Sequence, residues 1–408
     1  MNCGLLGRKL GHSYSPQIHH FLGDYSYVLF EKEPDELASF IKSSDYTGIN
    51  VTIPYKKAVI PFLDALSPVA QKMGSVNTIV RRTDGTLYGH NTDYFGFTSM
   101  VKRSGIHVAG KKALVLGSGG TSNTAVKALA DLGADVVVIS RSGENHYGNL
   151  HLHADAAVIV NTTPVGMYPQ TGAAAVDLKQ FPKLEGVLDV IYNPAKTQLL
   201  LDAEALGLPH ENGLWMLVAQ AKESAEYFTG HAIDDSVIQS IHRKLSAQMQ
   251  NIVLIGMPGC GKSTIGALLA QKLGRNLVDA DAQIVALANK SIPEIFAGDG
   301  ETGFRDLETQ VLTQLGRQSG LILATGGGCV TKERNYPLLH QNGSIFWLQR
   351  DIGLLPTDGR PLSQSSRLSE MYARRKPLYE AFSDFVIDNN GRCEDTVAAI
   401  WAHLEGSP

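Results

Sequence analysis

A chain of 408 residues is longer than one ordinary hydrophobic core supports, so two or three domains are expected. Its 43% hydrophobic and 19% charged residues are the balance of a folded, water-soluble protein and exclude a disordered or fibrous chain. A formal net charge of -4 without any Lys/Arg block argues against a nucleic-acid partner, and no apolar run approaches the roughly 20 residues that cross a bilayer, so no membrane partner is expected.

Taken in chain order, the N-terminus shows no charged segment followed by a long apolar one, so no signal peptide is expected. A helix is predicted over 35–42, a strand over 48–53 and a helix over 59–64, an α/β layer that precedes a first glycine turn. That turn is Gly117 to Gly120, after the strand-like Ala113 to Leu116 and before a helical stretch over 123–132. The next strand, 135–139, ends in Ser140, Arg141 and Ser142. From Arg141 to Asn161 the chain is short for the usual helix and strand, so one βα unit is expected to be trimmed. A polar helix over 236–249 leads to a junction near 247–250, with no Gly/Ser or Pro run to make a long linker. Beyond it come a strand over 252–255, a second glycine turn from Gly256 to Gly261, and a helix over 262–273. Strand, glycine turn and helix aim backbone N–H groups at a phosphate, and two such units imply two nucleotide-binding domains. The four cysteines (Cys3, Cys260, Cys329 and Cys393) form no CxxC pair, which suits reduced thiols in a cytoplasmic protein.

The second turn, GMPGCGKS from Gly256 to Ser263, fits the phosphate-loop pattern G-x-x-x-x-G-K-[ST]. Its glycines let Gly259, Cys260, Gly261 and Thr264 wrap the phosphates of ATP; Lys262 supplies a point charge, and the Ser263 hydroxyl can complete a Mg²⁺ shell. Asp279 and Asp281 end the next apolar segment, where one carboxylate can hold Mg²⁺ through water (assigned to Asp279) and the other can orient an acceptor hydroxyl. There follow GFRDLE (303–308), ATGGG (324–328), GRPL (359–362) and RRKPLY (374–379). In this order the set resembles shikimate kinase from about residue 251 onward. The resemblance implies that Asp281 binds the ring hydroxyls of shikimate and that Arg305 and Arg375 grip its carboxylate. It also implies that the glycines at 326–328, with Gly327 and Gly328 nearest, let the ring lie close to backbone, and that Arg360 reaches the transferring phosphoryl group. Two guanidinium forks suit a carboxylate, and a lid cation suits developing phosphoryl charge. The segment from Leu348 to Arg360 is shorter than that family's lid, and Gly353 and Leu354 stand where the family carries an arginine that packs on adenine.

The N-terminal part carries GHSYSP (11–16), NVTIPYK (50–56), SVNT (75–78), GHNTD (89–93), NTTPVGM (161–167), DVIYNP (189–194) and GLWMLVAQ (213–220). Across roughly residues 1–245 this set resembles shikimate dehydrogenase. Ser13 and Ser15 flank Tyr14 and can both reach a carboxylate, while Thr52, Asn77, Asp93, Tyr192 and Gln220 offer partners for ring hydroxyls. Lys56 and Asp93 are far apart in sequence, and the resemblance implies that they meet as an acid/base pair at the reacting ketone of 3-dehydroshikimate. His12 and His90 are read as packing or hydrogen-bonding residues, because nothing supplies a metal-ligand cluster.

The cofactor turn offers Gly117, Ser118, Gly119, Gly120 and Thr121, with Ser122 in the third-glycine position of G-x-G-x-x-G; Gly213 is assigned to the same site. An NAD site usually places Asp or Glu after the second strand to hold the ribose 2′-hydroxyl, whereas Ser140, Arg141 and Ser142 suit a 2′-phosphate, so NADP is expected. The expected architecture is α/β throughout: a substrate domain (1–100, completed by 214–245), a Rossmann-like NADP domain (101–213), and a P-loop kinase domain with a parallel sheet (250–408). The expected function is a bifunctional enzyme of small-molecule substrates, using NADP, ATP and Mg²⁺. The alternatives are an NAD-using quinate/shikimate dehydrogenase in the first half, or a regulatory protein that kept the folds to sense ligands. A sensor needs neither a proton relay nor a phosphate lysine, so Lys56, Asp93, Lys262 and Asp281 argue against it.

Overall fold

The structure, a computed structural model, describes residues 1–11, 13–43, 45–355 and 365–406. Arg360 and His12 lie outside the described residues. Contacts divide the chain into two units, one of residues 1–166, 173–192 and 202–244, the other of 167–172, 193–201 and 245–408.

The first unit holds two sheets. One is built from β1 (Asn2–Gly7), β2 (Ser26–Glu31), β3 (Gly48–Val51), β4 (Ala65–Leu66), β5 (Thr78–Arg81) and β6 (Leu87–His90), in the order β2-β1-β3-β5-β6-β4. β1 runs parallel to β2 and β3, while β5 is antiparallel to β3 and β6. All four residues of β3 are buried, and Gly48 lacks a Cβ where the Phe228 ring stands 2.3 Å from that position. The helix predicted over 59–64 is one 3₁₀ turn, Ile60–Phe62. Leu63 N–H closes back on Ile60, but Asp64 N–H bonds Leu87 of β6, so the ladder that would lengthen the turn is taken by the sheet.

The second sheet has β7 (Lys112–Leu116), β8 (Asp135–Ile139), β9 (Val158–Asn161), β10 (Gly186–Asp189) and β11 (His210–Glu211), all parallel in the order β11-β10-β9-β7-β8. β9 and β10 are buried along their whole length, as strands covered on both faces are. Between β8 and β9 stands only a 3₁₀ stretch, Tyr147–His153, so the βα unit is trimmed as its length implies. The helices Asp93–Ser104 and Leu214–Thr229 lie against each other at Gly96, where a Cβ would come 2.7 Å from the Met216 carbonyl. That close approach sets Asp93 on one helix and Gln220 on the other within one site.

His19, 1% exposed, stacks on Tyr27 at 3.9 Å, and burial pushes its pKa down to about 3. Its folded pKa is below its unfolded value of roughly 6.5, so the unfolded chain binds more protons between the two. Stability is therefore full above about pH 6.5 and falls as pH drops toward 3, by up to about 1.4 kcal/mol per pH unit from this group. Urea midpoints measured at several pH values should fall in acid, and His19→Phe should flatten that slope; an equally steep slope in the variant would assign the acid loss to other groups.

The second unit is a five-stranded parallel sheet of β12 (Asn251–Ile255), β13 (Leu277–Asp279), β14 (Ile322–Ala324), β15 (Gly343–Gln349) and β16 (Phe385–Asp388), ordered β13-β14-β12-β15-β16. The connection after β12 runs to β13 on one side and that after β14 to β15 on the other, which opens a crevice at the carboxyl ends of β12 and β14. The helix Lys262–Leu273 covers the sheet closely because Gly266 leaves room for Leu277, 2.7 Å from where a Cβ would sit. The segment 193–201 is tied into this unit: Lys196 N–H bonds the Gln341 carbonyl at 2.8 Å and Ala195 N–H the Asn342 Oδ1 at 2.8 Å. The helix Ser236–Met249 has the bounds that its polar pattern predicts. Among the described residues no helix is long and apolar enough to cross a membrane.

Candidate active sites

In the second unit, β12 delivers the chain into the glycine turn, and Gly256, Gly259 and Gly261 all take positive φ (142°, 82° and 101°) that side-chain-bearing residues rarely adopt. Lys262, buried to 8% exposure, folds its Nζ back onto the carbonyls of Gly256 and Met257 at 3.0 and 3.1 Å. Ser263 Oγ donates to Asp279 Oδ2 at 2.9 Å, so the predicted hydroxyl and carboxylate of a cation site are adjacent. Asp279 also caps the helix Ala280–Ala288, accepting from Asp281 N–H at 3.0 Å, which fixes where Asp281 starts.

A cavity of about 960 Å³ takes in the loop residues Gly259, Gly261 to Thr264, both aspartates, Arg305, Gly326 to Gly328 and Arg375. The glycine run is where side chains crowd the backbone. A Cβ on Gly326 would stand 2.7 Å from Asp281 Oδ1, one on Gly327 2.6 Å from Pro258, and one on Gly328 2.0 Å from Arg305 Nη2. Arg375 and the Tyr379 hydroxyl both donate to the Gly327 carbonyl, at 3.1 and 2.5 Å. Arg305 is held by Glu308, which is fully buried and accepts from its Nη1 at 2.7 Å. Burial raises the Glu308 pKa, and the Arg305 charge opposes that rise. Glu308 and Tyr379 were not anticipated as site residues; the three-residue spacing from Arg305, one helical face, is the signal for Glu308. Gly353 and Leu354 lie in a 3₁₀ turn, Ile352–Leu354, with Leu354 half exposed.

In the first unit, Lys56 Nζ lies 2.5 Å from Asp93 Oδ2, with only 25% and 15% of the two side chains exposed. Asp93 opens its helix, where a negative charge meets the positive end of the peptide dipoles. Beside this pair Asn77 Nδ2 donates to Thr92 Oγ1 at 3.0 Å and approaches Gln220 Oε1 at 3.5 Å, while Thr92 N–H returns a bond to Asn77 Oδ1 at 2.7 Å. Ser15 N–H bonds Ser13 Oγ at 3.2 Å, and the ring of Tyr14, between the two serines in sequence, meets Tyr192 edge-on at 6.1 Å. Thr52 leaves β3 beside β1, its N–H bonded to Leu6, and its methyl comes 2.8 Å from the place a Cβ on Gly7 would take. His90 stacks on Tyr227 at 3.6 Å, its pKa lowered to about 4 by burial, as a packing residue is.

Ser224 was not anticipated. It is fully buried and joins the site's polar groups: Asn50 Nδ2 donates to its Oγ at 2.8 Å, and Thr78 and Thr92 share bonds with it at 2.9 and 3.0 Å. Ser224→Ala leaves these three short of a partner, an expected cost of about 1–3 kcal/mol. A lower urea midpoint of that size should be measured, and an unchanged midpoint would show that the remaining hydroxyls reorganise freely.

At the dinucleotide turn Gly117 has φ 104°, and Ser122 Oγ donates to its carbonyl at 2.7 Å, so the serine in the third-glycine position locks the turn. A Cβ on Gly119 or Gly120 would meet nothing within 4 Å, which leaves the N-terminus of the helix Gly120–Asp131 open to an anion, with Ser118 and Thr121 beside it. Arg141 and Ser142 are exposed after β8; Ser140 turns its hydroxyl onto the Ser142 carbonyl and its N–H onto Asn145. Gly213 approaches the Val190 carbonyl so closely that a Cβ would stand 2.0 Å away. Thr162 and Thr163 border Gly117 at about the same depth, and their place at the carboxyl end of β9 was the signal that sequence reasoning left unused.

Two nucleotide sites, one a glycine turn on a five-stranded parallel sheet in the unit that holds a Lys–Asp pair, the other a phosphate loop over an arginine-lined cavity, define an α/β dehydrogenase joined to a P-loop phosphotransferase. Residues 5–79 match the family model of the shikimate dehydrogenase substrate binding domain, and residues 258–405 match that of shikimate kinase. A shikimate dehydrogenase (NADP(+)) of Clostridium perfringens is 38% identical over 267 residues, which cover 60% of this chain and 98% of that relative. The crystal structure of shikimate dehydrogenase 1 from Peptoclostridium difficile matches at 38% identity and a TM-score of 0.55, over 60% of this chain and 97% of that one. A chorismate mutase/shikimate 5-dehydrogenase fusion protein from Clostridium acetobutylicum matches at 36% identity and a TM-score of 0.57, over 60% and 96%. The chain belongs to the shikimate dehydrogenase family and carries a shikimate kinase domain in its C-terminal part.

Proposed function

We propose that the first site reduces 3-dehydroshikimate to shikimate with NADPH and that the second phosphorylates shikimate to shikimate 3-phosphate with ATP and Mg²⁺. The observation that carries the reading is the Lys56–Asp93 pair beside Asn77 and Gln220 in one unit, with the phosphate loop and two arginines around one cavity in the other. We assign 1–100 with 214–245 to the substrate domain, 101–213 to the NADP domain and 250–408 to the kinase. The free cysteines, Cys3, Cys260 and Cys329 buried among them, favour the reducing cytoplasm.

The residues fit their cofactors. Gly119 and Gly120 leave an open cradle for a pyrophosphate, and the Ser263 hydroxyl against the Asp279 carboxylate is an oxygen donor pair suited to Mg²⁺. NADPH, when bound, supplies the reducing equivalent; Mg²⁺ supplies charge neutralisation on the phosphates. Ser13 and Ser15 hold the substrate carboxylate, with Tyr192 across from them, and Thr52, Asn77 and Gln220 orient the ring hydroxyls. Lys56, held by Asp93, gives its proton to the carbonyl oxygen that becomes the new hydroxyl. In the second site Arg305 and Arg375 fix the shikimate carboxylate, and Asp281 accepts the proton of the hydroxyl that takes the phosphoryl group. Lys262 turns from the loop carbonyls to the transferring phosphate.

Assaying one purified chain for NADP-dependent shikimate oxidation and for ATP-dependent shikimate phosphorylation tests both halves, and failure of either removes that half. NADP should be preferred over NAD in parallel assays. Arg141→Ala should erode the preference about tenfold to a hundredfold, the worth of a charge-assisted bond. An unchanged ratio would place the 2′-phosphate elsewhere.

A further inference from the structure

The expected lid cation, Arg360, lies outside the described residues, and the position expected to pack on adenine is held by Gly353 and Leu354, neither of them charged. Another arginine stands at the phosphate loop. β15 runs parallel to β12 with Trp347 opposite Ile255, and a Cβ on Gly256 would stand 2.7 Å from the Leu348 carbonyl. Arg350, just past the end of β15, therefore emerges at the edge where β12 turns into the loop. Its Nη1 comes 3.9 Å from the point a Cβ on Gly261 would occupy, the residue that caps the helix Lys262–Leu273. Asn389 Nδ2 lies 3.2 Å from the same point and holds the Cys260 carbonyl at 2.5 Å, so both side chains border the last turn of the loop.

The Nε of Arg350 is buried and has no hydrogen-bond partner among the described residues. A guanidinium beside the positive end of a helix, close to the loop that holds Lys262, is in a repulsive field. A buried donor without a partner adds a desolvation cost. Both are relieved by an anion that reaches the loop. The 960 Å³ cavity is lined by Gly261, Arg305 and Arg375 and not by Arg350, which borders the loop at Gly261. A nucleotide with its terminal phosphate at Lys262 and the acceptor must leave the cavity past the loop with its inner phosphate and adenosine.

We propose that Arg350 is a nucleotide-binding residue of the second site, pairing with the α-phosphate of ATP from the end of β15 and supplying the positive charge that Gly353 and Leu354 lack. The proposal rests on the phosphotransferase reading. The test is calorimetric titration of the full chain with ADP and Mg²⁺, and separately the KM for shikimate in phosphorylation, which reads the second site alone. Arg350→Gln should weaken ADP about tenfold to a hundredfold, the worth of a charge-assisted bond. The KM for shikimate and the rate of shikimate oxidation should be unchanged, and Arg350→Lys should fall between the two. Unchanged ADP affinity in Arg350→Gln, equal losses for ADP and shikimate, or an Arg350→Lys chain no better than Arg350→Gln would each overturn it. Absence of ADP binding by the unsubstituted chain is a distinct outcome, which overturns the phosphotransferase reading and the proposal with it.

Discussion

Lys56→Ala is expected to lower the rate of shikimate oxidation by about a hundredfold to ten-thousandfold, the range for removing a positioned acid or base. Reduction of the ketone leaves an oxygen that must gain a proton, and in the reverse direction that proton must go somewhere before the carbon can be oxidised. Lys56 Nζ, 2.5 Å from Asp93, is the ammonium the site offers for this. The partner carboxylate holds its direction, so loss of the lysine removes both the proton and the group that Asp93 was arranged to hold. Phosphorylation of added shikimate by the same chain should continue at the original rate. Loss of both activities in a chain with an unchanged urea midpoint would contradict two separate sites. Asp93→Asn should fall short of the lysine variant, because an amide still orients an ammonium by a hydrogen bond but without charge.

Lys262→Ala should do the reverse, costing about a hundredfold to a thousandfold in phosphorylation, as loss of one electrostatic stabiliser of a transition state does. Its ammonium is nearly buried and tethered to the carbonyls of Gly256 and Met257 and to the Cys260 sulfur, neutral acceptors that a phosphate oxygen readily outcompetes. A shikimate titration that still shows two binding sites, with an unchanged urea midpoint, serves as the folding control, since Asp281, Arg305 and Arg375 are untouched. Retained shikimate binding with lost turnover supports the assignment. Turnover that survives intact would mean that the phosphate charge is met by other groups.

The phosphate loop was legible because its chemistry is local. Gly256, Gly259 and Gly261 must take positive φ within eight consecutive residues that end in Lys262 and Ser263, so geometry and ligand donors are written side by side. The flanking strands and the helices 236–249 and 262–273 were legible for the same reason, each a contiguous pattern of one period. The helix predicted over 59–64 failed where a long-range bond intervened: Leu87 takes the Asp64 N–H, and no local pattern announces a strand that pairs from 23 residues away.

By itself, then, the sequence determined that two glycine turns lie between strand and helix in two α/β units, that Lys262 and Ser263 close the second of them, and that an arginine, not an acid, follows the strand after the first. Those properties depend on neighbours along the chain. Tertiary structure decided what depends on neighbours across it. It brought Lys56 to Asp93, joined Ser224 to Asn50, Thr78 and Thr92, and locked Arg305 on Glu308 against Gly328. It also carried Arg350 to the loop by the parallel pairing of β15 with β12. The physical reason is that strand order and helix packing, not residue spacing, set which side chains share a few ångströms of buried space, where an unpaired charge or donor costs most.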